Sequence, residues 1–199
     1  NNIILDCDPG HDDALAILLA LSSPKEINCL GITTSAGNVP LELTTKNALR
    51  VLALIKNNNI EVYKGCPKPL IGELVTAENV HGESGLDTGS GTSLPEPISN
   101  YNNKHAVNFI LDTLKEAPNN DITLVATGPL TNLAAAFSID PQTFRRAKKI
   151  ILMGGAGFEP GNITPAAEFN IYVDPFAAKS IFQSELEIFM FGLDVTHKM

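Results

Sequence analysis

Four aspartates fall within eight residues near the start of the chain, in the run Asp6-Cys7-Asp8-Pro9-Gly10-His11-Asp12-Asp13. The run lies between two apolar stretches, Ile3-Ile4-Leu5 and Ala14–Leu21, that must be buried in a folded protein. Carboxylates forced together raise one another's pKa, and a hard divalent cation relieves that repulsion. Oxygen donors select Ca²⁺ or Mg²⁺ over zinc, which prefers histidine and cysteine. The loop lacks the twelve-residue register of an EF-hand. Structural roles exist for single members: Asp12 is placed to cap a helix, Asp13 to sit in its first turn, and Asp8-Pro9-Gly10 to form a turn. None of these explains four carboxylates converging at one strand end. Asp6 and Asp8 alternate, so they are expected on one strand face, with Asp6 supporting Asp8 from behind.

The elements that must position this loop follow from periodicity. Strands are expected at Asn2–Asp6, Ile27–Thr34, Ile60–Tyr63, Asp121–Ala126, Lys149–Met153 and Leu186–Phe191. Helices are expected at Asp12–Ser22, Pro40–Lys56, His105–Lys115 and Pro175–Phe182, the last capped by Asp174 with proline in its first position. Near-continuous apolar strands separated by helices predict an α/β fold. Its expected form is a three-layer, mostly parallel open sheet of Rossmann-like type. Ligands bind such sheets at the carboxyl ends of the strands. Asp6, Asp8, Thr34, Asn38, Thr127, Met153 and Asp194 all fall there. Lys64–Asn103 and Gly154–Asn170 read as long irregular segments of the kind that form lids.

The 199 residues suggest one domain with a real core. A net charge of −8, with 14 basic against 22 acidic residues and no basic block, argues against nucleic-acid binding. The longest apolar run is too short to span a bilayer, and no signal peptide is visible. Cys7, Cys29 and Cys66 read as reduced thiols of a cytoplasmic protein, and Cys7 is a poor nucleophile among aspartates.

Taken together, the motifs resemble one family. DCDPGHDDALA is similar to the N-terminal signature of the inosine–uridine-preferring nucleoside hydrolases. ITTSAGN (32–38), NVHGESGLD (79–87), ITLVATGPLTN (122–132), IILMGGAG (150–157) and GNITPAAEFNIYVDP (161–175) resemble further family segments, in the family's order. The resemblance implies calcium-dependent hydrolysis of the N-glycosidic bond of a ribonucleoside to ribose and free base, by a homodimer or homotetramer. It implies that Asp8 and Asp13 bind Ca²⁺ through their carboxylates and Thr127 through its carbonyl, and that Asp8 takes a proton from the attacking water. Asp12 and Asn170 would hold the ribose hydroxyls, Asn162 and Glu168 the 5′-hydroxyl, Asn38 and Met153 the sugar, and His81 would lie on the base side.

Residue type alone gives plainer readings for some of these. Asn38 reads as a turn residue and Met153 as core, and the alternation in Ala-Glu-Phe-Asn-Ile reads as the polar face of a short strand. His105 reads as structural, and His11 and His197 acquire no role. Gly154–Gly161 does not match a dinucleotide fingerprint. Family members continue past GLDVTHKM with a further metal-binding aspartate and a histidine that protonates the leaving base. Residues 1–199 are therefore expected to be a C-terminally incomplete domain, with an incomplete calcium shell and apolar sheet surface exposed on one side. Two other functions fit part of the pattern. One is a nucleoside- or ribose-binding domain without catalysis. The other is a magnesium-dependent phosphatase built on Asp6 and Asp8.

Overall fold

The computed structural model describes residues 1–87 and 94–198, apart from the side chain of His81. In chain order its elements are β1 (Asn2–Cys7), α1 (His11–Ser22), β2 (Asn28–Thr34), α2 (Leu41–Leu54), β3 (Val62–Lys64), α3 (Glu78–His81) and α4 (Ala106–Glu116). There follow β4 (Ile122–Ala126), α5 (Thr131–Ile139), α6 (Pro141–Phe144), β5 (Lys149–Met153), α7 (Phe169–Val173), α8 (Pro175–Phe182), β6 (Ile188–Phe191) and α9 (Leu193–Thr196). The strands form one sheet in the order β3-β2-β1-β4-β5-β6, and every pairing is parallel. This is the doubly wound order expected from alternating strands and helices, and its direction reverses between β1 and β4. Because the strands run the same way, all their carboxyl ends meet at one edge. The loop after β1 and the loop after β4 lie side by side there.

Alternation along each strand sorts the core into two layers. Ile4, Leu124, Ala126, Ile150 and Leu152 pack with residues of α4, α5 and α8. Ile3, Leu5, Cys7, Ile32 and Val62 pack with Ile17 and Ala20 of α1 and Ala48, Val51 and Leu52 of α2. The buried strand residues of the second layer come from β3, β2 and β1, with Val125 of β4 packed at its margin. Over β4 and β5 it gives way to an open groove of about 370 Å³ lined by Leu19, Val125 and Ile151. At the sheet edge Phe189, Met190 and Phe191 of β6 are exposed. The apolar exposure expected on one side of the sheet is therefore present. No helix among the described residues is long and apolar enough to cross a membrane.

Several local expectations change. The cap of α1 is Gly10, in extended conformation, and not Asp12. The turn at Pro9-Gly10 starts the helix early, and the Asp13 carboxylate accepts the Gly10 N–H at 3.0 Å. Asp12 is thereby left exposed and free of capping. The Glu168–Asn170 segment is not a strand: Glu168 caps α7, accepting the N–H groups of Asn170 and Ile171. Over so few residues an alternating pattern fits either period, and the cap decides for helix. His105 is structural, as expected. Its Nδ1 accepts the Val107 N–H at the start of α4. Asp174 caps α8.

Candidate active site

Asp8 follows β1 and is completely buried. Its Oδ2 accepts the Asn38 N–H at 2.7 Å, and its main-chain carbonyl accepts Asn38 Nδ2 at 3.0 Å. Oδ1 has no hydrogen-bond partner. Glycines stand on both sides: a Cβ at Gly37 would overlap Oδ2, and one at Gly128 would lie 2.5 Å from Oδ1. Asp13 is buried beside it. Thr127 Oγ1 donates to Asp13 Oδ1 at 2.6 Å, and Asn38 Nδ2 approaches Asp13 Oδ2 at 3.3 Å. Burial, and then the charge of Asp13, push the Asp8 carboxyl well up. Burial and the neighbouring Asp12 push Asp13 up to about 7. Burial and the surrounding carboxylates of Asp13, Asp6 and Asp8 also raise the Cys7 thiol, which makes a thiolate there unfavourable.

Asp6 is bonded on the side of the sheet away from α1 and α2. It makes no hydrogen bond to Asp8; its Oδ1 accepts Thr33 Oγ1 at 2.5 Å and Asn132 Nδ2 at 2.8 Å, on the α5 side of the sheet. β1 ends at Cys7, and Asp8 belongs to the loop that follows. The link of Asp6 to the site is through the main chain, where the Asp6 carbonyl accepts the Thr127 N–H at 2.9 Å. Burial raises Asp6 to about 7 against the opposing bonds from Thr33 and Asn132.

Above this floor lies a cavity of about 180 Å³. Of the residues singled out in the sequence, Asp12, Asn38, Thr127, Met153, Asn162, Glu168 and Asn170 line it. Asn170 spans two strand ends, its Nδ2 donating to the Thr127 carbonyl at 2.9 Å and the Met153 carbonyl at 3.2 Å. Glu168 is held by the Gly155 N–H at 2.8 Å as well as by the cap of α7, and burial raises its carboxyl despite these donors. Asn162 accepts the Phe169 N–H at 2.9 Å. His81 is the last residue of α3, and its side chain lies outside the described residues. Two strand-end residues do other work. Thr34 Oγ1 pairs with Thr45 Oγ1 at 2.8 Å. The Asp194 carboxylate is occupied by the N–H groups of Gly157, Phe158 and Glu159.

The sequence reading missed the far wall, made by Thr76, Ala77, Asn79 and Val80 with Ile163 and Phe169. It also missed the amides beneath the site. Asn132 follows Thr131 and precedes the apolar residues 133–137, and that polar start to an apolar helix was the available signal. His197, left without a role, lines a second depression that shares Asp12, Thr127, Met153 and Asn162 with the first.

The donor chemistry suits a hard cation. Two buried carboxylates lie close together, no lysine or arginine among the described hydrogen bonds and ion pairs reaches either, one oxygen is orphaned, and the Thr127 carbonyl keeps a second lone pair. Among the described residues no group of three histidine, cysteine, aspartate or glutamate side chains is placed to hold a metal. Among the described residues, the Thr127 main-chain oxygen is a further donor available beside the two carboxylates.

The model of the inosine–uridine preferring nucleoside hydrolase family matches residues 3–199. The chain belongs to this family. It is 54% identical over 196 residues to the pyrimidine-specific ribonucleoside hydrolase RihA of Salmonella arizonae, covering 98% of this chain and 61% of that protein. Among solved structures it resembles a purine-preferring ribonucleoside hydrolase from Gardnerella vaginalis, with a TM-score of 0.92, 37% identity, and coverage of 100% of this chain and 63% of the other. A plant nucleoside hydrolase superposes with a TM-score of 0.89 at 42% identity, covering 100% and 61%. The chain thus spans about three fifths of the length of these relatives. The match fits the doubly wound sheet, and family membership makes the cavity over Asp8 and Asp13 the candidate active site.

Proposed function

We propose that the protein containing this chain hydrolyses the N-glycosidic bond of ribonucleosides with the help of Ca²⁺, releasing ribose and the free base. The observation that carries this reading is the buried Asp8–Asp13 pair, with Asp8 Oδ1 unpartnered, beside a cavity walled by carboxylate and amide side chains. Asp8 and Asp13, through their carboxylates, and Thr127, through its carbonyl, are the residues that would hold the cation. Bound there, Ca²⁺ would orient the ribose hydroxyls and lower the pKa of a water.

The remaining work belongs to the chain's own groups. Asp8 accepts the proton of the attacking water at Oδ1, since Oδ2 is committed to the Asn38 N–H. Asp12, exposed at the cavity wall, and Asn170 bind ribose hydroxyls. Asn162 and Glu168 bind the 5′-hydroxyl, and Asn38 and Met153 flank the sugar. His81, at the end of α3, belongs to the base side. Positive charge that develops on the sugar in the transition state is stabilised by the carboxylates of Asp8, Asp12 and Glu168. The described residues lining the cavity include Asp12 and Glu168 and no lysine or arginine. That balance suits a neutral nucleoside and disfavours a phosphorylated substrate, which counts against the phosphatase reading.

Reducing-sugar release from inosine and uridine, with and without a calcium chelator, tests the proposal. Release that stops on chelation is expected. Tight nucleoside binding without release would replace it with the binding-only reading.

A further inference from the structure

Asn47 has no part in the reading above, yet it is buried on α2 with its amide turned to two functional segments. Its Nδ2 donates to the Pro9 carbonyl at 3.1 Å and to the Ser84 carbonyl at 2.8 Å. Pro9 lies inside the aspartate loop, one residue after Asp8. Ser84 lies three residues beyond the end of α3, the helix that brings Asn79 and Val80 to the far cavity wall. At its other end, the α3 segment is held by the main chain, where the Ala77 N–H donates to the Asn38 carbonyl at 2.9 Å. Asn38 itself is bonded to Asp8. The wall is therefore slung between two points, and Asn47 is the only side chain of α2 bonded to both its Ser84 end and the aspartate loop among the described hydrogen bonds.

The chain approaches Asn47 closely at this pin. Gly85 has φ +81°, and a Cβ there would lie 2.9 Å from both Asn47 Nδ2 and Val39 Cγ2. A further tie joins the same two segments at the surface, between His11 Nε2 and the Asp87 carbonyl at 3.0 Å. An amide NH₂ has two hydrogens, so one side chain satisfies both carbonyls; removing it strands both at once.

We propose that Asn47 is a positioning residue for nucleoside binding: it fixes the span between the aspartate loop and the α3 wall. In the nucleoside reading, on which this inference rests, that span sets how a substrate lies with its ribose over Asp8 and Asp13 and its base against α3. A free ribose, occupying only the carboxylate side, does not use the span.

Two measurements test it. In the metal-free protein, Asn47→Ala should speed amide hydrogen exchange at Val80, Gly82 and Gly85 while leaving β1 and β4 protected. In the calcium-loaded protein, KM for uridine and inosine should rise about tenfold with kcat within about twofold and inhibition by free ribose unchanged. If Asn47→Ala does not fold, Gly85→Ala tests the same contact from the loop side and should give the same local pattern. Unchanged exchange at residues 77–87 would overturn the pin. Exchange that rises throughout the sheet, or KM, kcat and ribose inhibition that all worsen together, would reduce Asn47 to a general structural residue. A wild-type protein that releases no ribose from either nucleoside would overturn the nucleoside reading, with the exchange data still judging the pin by itself.

Discussion

Asp8 and Asp174 are equally buried, each at 0% exposure, and they have opposite surroundings. Asp174 receives three donors: the Leu70 N–H at 2.8 Å, Thr131 Oγ1 at 2.8 Å and the Ala177 N–H at 2.9 Å. Both of its oxygens are satisfied, and it ties a loop and two helices together. The Asp8 carboxylate has one donor, the Asn38 N–H, together with an orphaned oxygen and a second carboxylate as its neighbour. Burial alone does not distinguish a structural carboxylate from a functional one. The supply of donors separates these two: the charge of Asp174 is compensated within the chain and holds the fold, and that of Asp8 is left short.

The contrast can be broken most sharply at Asp8. Asp8→Asn keeps the shape and removes the base, so ribose release should fall by about 10²–10⁴-fold. Activity within tenfold of the wild type would remove Asp8 from the mechanism. At Asp174 the loss should appear in stability instead. Asp174→Ala strands three donors and should cost about 3 kcal/mol in urea unfolding, while leaving the response to calcium in place.

Calcium itself sharpens the comparison. At a hundredfold excess over Kd it should stabilise the protein by about 2.7 kcal/mol, or roughly 5–10 °C in Tm, and Asp13→Asn should abolish the shift. A calcium-induced shift that survives Asp13→Asn would move the site elsewhere.

The comparison also extends to pH dependence. Asp6 and Asp13 lie near 7 in the folded chain against an ordinary value of 3.8. The folded state therefore binds protons that the unfolded chain has released. The stability this confers is complete below 3.8 and is lost as pH rises through about 7. The metal-free protein should melt at a higher temperature near about pH 5.5 than near about pH 8, and calcium, which needs the ionised carboxylates, should flatten or reverse that trend. A metal-free melting temperature that rises steadily over this range would contradict the assigned burial of these groups.

Much of the fold was legible because strand and helix periods are local properties. Each of the six expected strands overlaps an observed one, with ends displaced by a residue or two. The aspartate loop was legible from composition alone. What could not be read were contacts between distant segments. Asn47 and Asn132 look like ordinary polar residues of helices, because their partners, Pro9 and Ser84 for one and Asp6 and Thr34 for the other, are far away in sequence. The capping of α1 was misread because Asp12 and Asp13 are both good caps by type, and only the turn geometry shows that Asp13 reaches back to Gly10 while Asp12 faces the cavity. Glu168 was misread for a related reason: a cap and the first residue of a short strand look alike over three positions.

The glycines beside Asp8 have a consequence for how this site can vary. At Gly37 and Gly128 the smallest side chain enters the space of the carboxylate, so the position of the acid is set by what its neighbours lack. Mutagenesis libraries at these two positions should come back nearly empty, and a lost Asp8 could not be rescued by a longer acid. Sequence diversity around the pocket has to come from its far wall, and that is where a search for altered base preference would have room to work.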